Sequence, residues 1–201
     1  MIEILGTSLI KIVNDLYDFS RQGVVLIPNA IPSYHIQQLQ EELFDHKELF
    51  RPAPREYGIA EQEFNHFYLD EINEPEKTLP TLCTLQHGYR QWRNQFGATA
   101  KIECGKTTVA VNQYCRGAKG ISAHRDELSY VNLIAVATIT GEATLTVHHR
   151  EEETKYQLKT GSLLLMRAPR SAQEKEYRPR HSLHSVLQER YAVIFREHKG
   201  F

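Results

Sequence analysis

Four short stretches of this sequence carry side chains that can do chemistry together: Asn112-Gln113-Tyr114, His124-Arg125-Asp126, His181, and Arg190 with Arg196. On a β-strand, residues i and i+2 project to one face, so His124 and Asp126 are expected to present an imidazole and a carboxylate to one point from one strand. A second imidazole from a neighbouring strand, His181, would complete three ligands on one side of a metal ion. Two nitrogens and one carboxylate with the opposite side open suit non-haem Fe(II), because a cosubstrate and oxygen must both reach the metal. A closed cysteine site would shut them out. Strand alternation puts His181 and His184 on opposite faces, so only one of them can serve; His181 is the expected ligand and His184 the alternative.

Arg190 follows His181 by nine residues. A hairpin between them would set Arg190 on the adjacent strand, facing the same interior. Its planar fork can grip a carboxylate through two parallel hydrogen bonds, which Lys cannot do. A dicarboxylate held there would have its other end free to chelate the metal.

Each feature has a plainer reading beside the chemical one. An H-x-D pair also arises as a surface salt bridge. His148-His149 sits in a strand with its two rings on opposite faces, so it is expected at the surface and not as a chelating pair. Glu151-Glu152-Glu153 reads as a solvated turn. Arg167, Arg170, Lys175, Arg178 and Arg180, offset by Glu174 and Glu176, give a local charge of +3 just before His181; they form either a phosphate clamp or a soluble loop. Tyr57, Phe64, Phe67 and Tyr68 are either a lid that stacks on a flat substrate or a patch that closes the core.

The elements that position these groups fall into two halves. Leu9, Ile12, Val13, Leu16, Tyr17 and Phe19 predict an amphipathic helix over 7–20, stopped by Gly23. Val24–Ile27 is a β-branched run. A second helix is expected over about 32–48, with Ile36, Leu39, Leu43 and Phe44 on one face. Residues 51–80, broken by Pro52, Pro54, Gly58, Pro75 and Pro80, read as a long loop. A third helix is expected from about 80 to 96 with Leu82, Leu85, Tyr89 and Trp92. From residue 105 the period changes to two, and 107–114, 131–140, 143–149, 156–158, 162–166, 181–186 and 191–195 read as strands. Gly117, Gly120, Gly141 and Gly161 punctuate them. Seven or eight strands at this spacing predict a sandwich or jelly roll.

Composition excludes several classes. The chain has 201 residues with 41% hydrophobic and 24% charged, which is globular and not disordered. No apolar run approaches the roughly 18–20 residues that span a bilayer. The N-terminus lacks a signal-peptide pattern, so a cytoplasmic location is expected. Three cysteines without C-x-x-C exclude a disulfide scaffold and a thiolate zinc site. The net charge of −1 excludes adhesion to nucleic acid through bulk charge alone. It hides an asymmetry: residues 1–100 carry 8 basic and 14 acidic side chains, residues 101–201 carry 16 and 11. The basic half is the half that carries the chemistry.

The stretch from Asn112 through Tyr114, Gly117 and Lys119 to His124 and Asp126 resembles the N-x-Y-x-x-G-x-K-x-x-x-H-x-D pattern of the Fe(II)/2-oxoglutarate-dependent dioxygenases, and within them of the AlkB-like group. Arg190-Tyr191 to Phe195-Arg196 is similar to that group's R-Y-x-x-x-F-R strand, and Gly161 to Met166 to the strand before its distal histidine. The chain departs in one extra residue between Asn112 and His124, and in Leu128 after Glu127. The similarity covers about 79–197. It implies an α+β fold: a double-stranded β-helix (jelly-roll) core over about 105–201, with N-terminal helices and a lid part over about 1–104, in one domain. It implies Fe(II) on His124, Asp126 and His181, and 2-oxoglutarate on Arg190 with Asn112 and Tyr114 assisting. Arg196 would lie beside Asp126 and the near carboxylate. Three functions follow. One is oxidative demethylation of alkylated nucleobases. The second is hydroxylation of a small molecule, amino acid or peptidyl side chain. The third is a non-catalytic binding protein of the cupin type. An Asp at 126, where a Gly would admit halide, implies hydroxylation over halogenation.

Overall fold

The computed structural model describes residues 9–18, 22–58, 60–149, 152–169, 174 and 177–198. Phe19, Glu151, Arg170, Lys175 and Glu176, and the Tyr57 side chain, lie outside that description.

Apolar residues at helical spacing build the outer layer. Helix α1 (Leu9–Tyr17) buries Ile12 and Leu16. After Gly23, at φ 69°, strand β1 (Val24–Ile27) leads to helix α2 (Ser33–Asp45), which buries Ile36, Leu39 and Leu43. Phe44 does not join that face: it is 61% exposed, and the Lys47 ammonium lies 3.9 Å from its ring centroid. Phe44 follows Leu43 by about 100° around the helix, which carries it off the buried stripe. A short helix α3 (Pro75–Thr78) precedes the long helix α4 (Pro80–Ala100), which buries Leu82, Leu85, Tyr89, Trp92 and Phe96 and ends at Lys101 in the left-handed region. Helix α4 therefore runs one turn beyond the expected end. None of the described helices is long and apolar enough to cross a membrane.

The segment 51–80 is not a loop. Strands β2 (Arg51–Pro52), β3 (Glu56–Tyr57), β4 (Ala60–Glu63) and β5 (Asn65–Tyr68) lie in it. β2 pairs with β5 and β3 with β4 inside the segment, whereas β4 and β5 also pair with β7 and β6 far along the chain, which local periodicity cannot reveal. Eight strands follow: β6 (Lys106–Tyr114), β7 (Gly120–His124), β8 (Tyr130–Thr140), β9 (Ala143–His149), β10 (Glu152–Leu158), β11 (Leu163–Arg167), β12 (Arg180–His184) and β13 (Arg190–His198). Glu152 and Glu153 are thus exposed strand residues rather than part of a turn.

The strands form two antiparallel sheets. The larger has the order β1-β11-β8-β13-β6-β5-β2, the smaller β10-β9-β12-β7-β4-β3. The segment 51–68 supplies an edge to each. This is the double-stranded β-helix arrangement, with the helices packed on the larger sheet.

The larger sheet divides the interior in two. In β13, Tyr191, Val193 and Phe195 pack against the helices, whereas Ala192 and Ile194 face the smaller sheet. In β8, Leu133, Ala135 and Ala137 share the helical side with them, and Ile134 turns inward. Period-two alternation in strands apolar on both faces makes each strand a wall between two cores. On the helical side the Tyr89 and Phe195 rings stack 4.1 Å apart. There too, Arg93 and Glu197 form a buried ion pair, and the Glu197 carboxylate also accepts from the Gly105 backbone N–H and the Asn132 amide, each at 3.1 Å.

Candidate metal centre

The site is built where β7 and β12 pair. In their antiparallel register His181 stands opposite His124, and an irregularity separates this pair from Leu183–Ile121. The two rings face each other with centroids 4.5 Å apart. Strand β7 ends at His124, so Asp126 does not reach the site as an i+2 strand residue. It comes from the following loop, whose Asp126 backbone carbonyl accepts a hydrogen bond from the Arg178 guanidinium. An Asp126 carboxylate oxygen lies 3.9 Å from His124 Nε2 and the other 3.8 Å from His181 Nε2. One ligand atom from each of the three residues falls within 4.8 Å of the others.

The outer nitrogens fix the rings. His124 Nδ1 is 2.8 Å from the Ser122 carbonyl and His181 Nδ1 is 3.2 Å from the Pro179 carbonyl. A carbonyl only accepts, so each Nδ1 carries the proton and each Nε2 keeps its lone pair pointing inward. Burial, and then the neighbouring His181, lower the His124 pKa, which favours the neutral, ligating form. Two imidazoles and a carboxylate with room in front of them fit a first-row divalent metal such as Fe(II).

His184 stays out of this cluster. It is exposed at the end of β12, with Nε2 2.7 Å from the Ser182 hydroxyl. His148 is the other neighbour of Ser182, at 2.9 Å, on the outer face of the smaller sheet as expected, and its Nδ1 is 3.1 Å from Glu153.

The three groups open into a cavity of about 400 Å³ between the sheets. Asn112, Tyr114, Arg190 and Arg196 line it with them, so all seven sequence-derived site residues converge there. Arg190 arrives by a different route from the one expected. Strands β12 and β13 are consecutive but lie in opposite sheets, so Arg190 faces the metal ligands across the cavity, not from the adjacent strand. It is 1% exposed, donates to the Thr138 hydroxyl at 3.2 Å and sits 5.3 Å from the Tyr114 ring centroid. Its Nε has no partner, and among the described residues no carboxylate pairs with it. Burial lowers its pKa, with Tyr114 opposing. A buried guanidinium with an idle donor is a costly arrangement unless an anion completes it. The residues therefore fit a carboxylate at this end of the cavity.

Arg196, on the same face of β13, also has an unpartnered Nε and lies 5.3 Å from the Tyr130 ring centroid. Burial opposes its charge, but Tyr130 and Asp126 outweigh that and raise its pKa. Asn112 donates to the Tyr114 hydroxyl at 3.5 Å. Of the expected aromatic lid, Phe64 lines the cavity 5.3 Å from Tyr114, whereas Phe67 is buried on the helical side against Phe50. Sequence reasoning missed Thr138 and Tyr130, and it placed Arg178 in a basic cluster without foreseeing its bond to the Asp126 carbonyl. Thr138 had a weak signal: it is a polar residue sharing parity with Ile134 within the apolar stretch 133–139 of β8, which marks an inward hydroxyl with a partner.

No protein-family model matches the chain, and no curated protein matches it. Solved structures do match by fold. A prolyl-4-hydroxylase from Pseudomonas putida superimposes with a TM-score of 0.72 at 14% identity, covering 94% of this chain and 99% of that one. A prolyl hydroxylase from Trichoplax adhaerens, solved with a hypoxia inducible factor peptide fragment, gives 0.67 at 12% identity, covering 95% and 90%. An oxidoreductase of the 2OG-Fe(II) oxygenase family from Burkholderia pseudomallei gives 0.64 at 11% identity, covering 97% and 92%. These likenesses establish the jelly-roll fold.

Proposed function

We propose that the chain, as one domain over 1–201, is an Fe(II)- and 2-oxoglutarate-dependent oxygenase that hydroxylates a C–H bond of a small molecule, amino acid or peptidyl side chain. One observation carries the reading: the cavity that gathers two imidazole lone pairs and a carboxylate at one end buries Arg190 with an idle Nε at the other. His124, Asp126 and His181 would hold the iron. Arg190, steadied by Thr138, would hold the distal carboxylate of 2-oxoglutarate, with Asn112 and Tyr114 beside it and Arg196 toward the near carboxylate. Prolyl hydroxylases among the fold neighbours, one with a peptide bound, support a hydroxylase over a nucleobase demethylase.

When bound, iron would activate oxygen, which is the oxidant: two electrons would come from 2-oxoglutarate and two from the substrate C–H, one oxygen atom going to succinate and the other to the product alcohol, with carbon dioxide released. The protein supplies position and dryness. Nδ1–H bonds to Ser122 and Pro179 hold both imidazoles in the ligating tautomer. The Arg190 fork fixes the orientation of the cosubstrate. Ile134, Leu145, Ile194 and Leu183 line the cavity with apolar surface, which keeps water from a reactive centre.

The test is anaerobic addition of Fe(II) and then 2-oxoglutarate, read by the visible charge-transfer absorption of a 2-oxo acid chelated to Fe(II). Succinate release in oxygen with a substrate panel follows. A hydroxylated product is expected. Formaldehyde from methylated nucleic acid would redirect the reading to demethylation, and failure to bind Fe(II) would end it in favour of a cupin-like binding role.

A further inference from the structure

The end of β7 and the loop after it place four consecutive residues, His124 to Glu127, on the wall of the cavity. His124 and Asp126 supply ligand atoms to the metal position. Arg125 stands between them in the chain, exposed at the mouth. Its Nε donates to the Arg178 carbonyl at 3.3 Å, which anchors the side chain. Its two terminal nitrogens bond to none of the described residues. Glu127 is placed differently: its carboxylate accepts from the Ser129 hydroxyl at 3.0 Å and from the Tyr130 hydroxyl at 3.5 Å.

Charge decides what this mouth admits. The lining carries three guanidinium groups, Arg125, Arg190 and Arg196, against two carboxylates, Asp126 and Glu127. With the ligating imidazoles neutral, one positive charge is in excess. Fe(II) would add two positive charges and 2-oxoglutarate two negative ones, so loading leaves that excess in place. Arg190 and Arg196 are engaged by the cosubstrate in the reading above, which leaves the excess at Arg125. A cavity of one sign with apolar walls concentrates the opposite ion. One planar fork matches one carboxylate. A phosphate monoester carries about −1.5 to −2 at neutral pH, more than the excess; an amide carries nothing to meet it. Strands β4 and β7, which pair beside this mouth, contribute Ala60 and Ile121 to the lining, and Phe64 follows β4. The part of the ligand that reaches past Arg125 therefore meets hydrocarbon.

We propose that Arg125 is the substrate anchor: its terminal nitrogens bind the free carboxylate of a small monocarboxylic acid, whose apolar chain carries the reacting carbon toward the metal. The fate of that carbon rests on the oxygenase reading, whereas the carboxylate site is tested without it.

The experiment is calorimetric titration of the full chain, without oxygen, with three probes of one shape: isocaproate, isocaproamide and isohexylamine. It is run with Fe(II) and 2-oxoglutarate present and again with neither. Isocaproate should bind at one site per chain in the loaded protein, about ten-fold or more tighter than the amide, the scale of one charge-assisted hydrogen bond. Arg125→Gln should remove that preference. Arg125→Glu should reverse the order of the probes, weakening the acid and admitting the amine, an exchange that mere loss of structure does not produce. Equal binding of acid and amide by wild type overturns the proposal. So does unchanged acid affinity in Arg125→Glu, with or without the cofactors, since that places the anion at another cation. Tighter binding of inorganic phosphate than of isocaproate overturns it in favour of a phosphate ester. The Fe(II)–2-oxoglutarate absorption of the same loaded sample decides the oxygenase reading whatever the probes show.

Discussion

His181 stands directly opposite His124 across β12 and β7, and this single register match brings two imidazoles from residues far apart in sequence face to face. Asp126 then needs only a short loop to join them.

Alanine at His124, Asp126 or His181 should abolish Fe(II) binding and succinate release while leaving the circular dichroism spectrum unchanged. His184→Ala should retain both, because His184 is exposed and bonded only to Ser182. Loss of iron in His184→Ala with retention in His181→Ala would reverse the assignment.

Arg190→Lys keeps the charge but loses the fork. The apparent KM for 2-oxoglutarate should rise about 10- to 100-fold, the worth of a charge-assisted bidentate contact, with kcat changed far less. Thr138→Val should move KM in the same direction and less, since it removes the hydroxyl that accepts from Arg190.

Much of this was legible in the sequence. Seven of the eight strands of the second half were visible as runs of strand-forming residues bounded by glycine turns; β7 was not among them, and register shifts interrupt its pairing with β12 and that of β13 with β8. The seven site residues were visible because their types are those the chemistry needs. Three things were hidden, each for a non-local reason. Asp126 lies past the end of β7, where no periodicity governs direction. Arg190 follows β12 in sequence but crosses to the other sheet, as consecutive strands of this fold do. Strands β2 to β5 are short and proline-interrupted, and β4 and β5 take their partners, β7 and β6, from far along the chain.

Gly120→Ala tests the register itself. Gly120 has φ +85°, and a Cβ there would lie 2.0 Å from the Leu183 carbonyl oxygen. The backbone must shift between β7 and β12, so both the melting temperature and Fe(II) affinity should fall. A melting curve and a metal titration matching wild type would show that the strand contact does not set the ligand geometry.

The Arg93–Glu197 pair is 2% and 0% exposed. Arg93→Met should destabilise by about 3–5 kcal/mol in denaturant unfolding, because it strands a buried carboxylate. Adding Glu197→Gln to that variant should recover part of the loss. Additive losses would show that the two side chains do not couple.

His66 on β5 has a lowered pKa, chiefly from burial and secondarily from Arg51, relative to 6.5. The folded state therefore favours the neutral ring. Its contribution is complete above the unfolded pKa and declines as pH falls below it, since the unfolded chain takes up the proton first. His66→Leu should flatten the stability profile below about pH 6.5, the ordinary imidazole value. An unchanged slope would show that His66 does not couple folding to pH.

Strand β13 is a partition with a guanidinium side and an aromatic side, and that arrangement limits how such a chain can change by insertion or deletion. One residue gained or lost between Arg190 and Phe195 would reverse one of them relative to the other, turning either Phe195 toward the metal ligands or Arg190 toward the helices. Substitutions there are tested one contact at a time; a change of length is tested against both cores together. The hairpin turns can lengthen freely by comparison, so variation in length among functional relatives of this fold should collect in the turns and leave this strand's count of residues fixed.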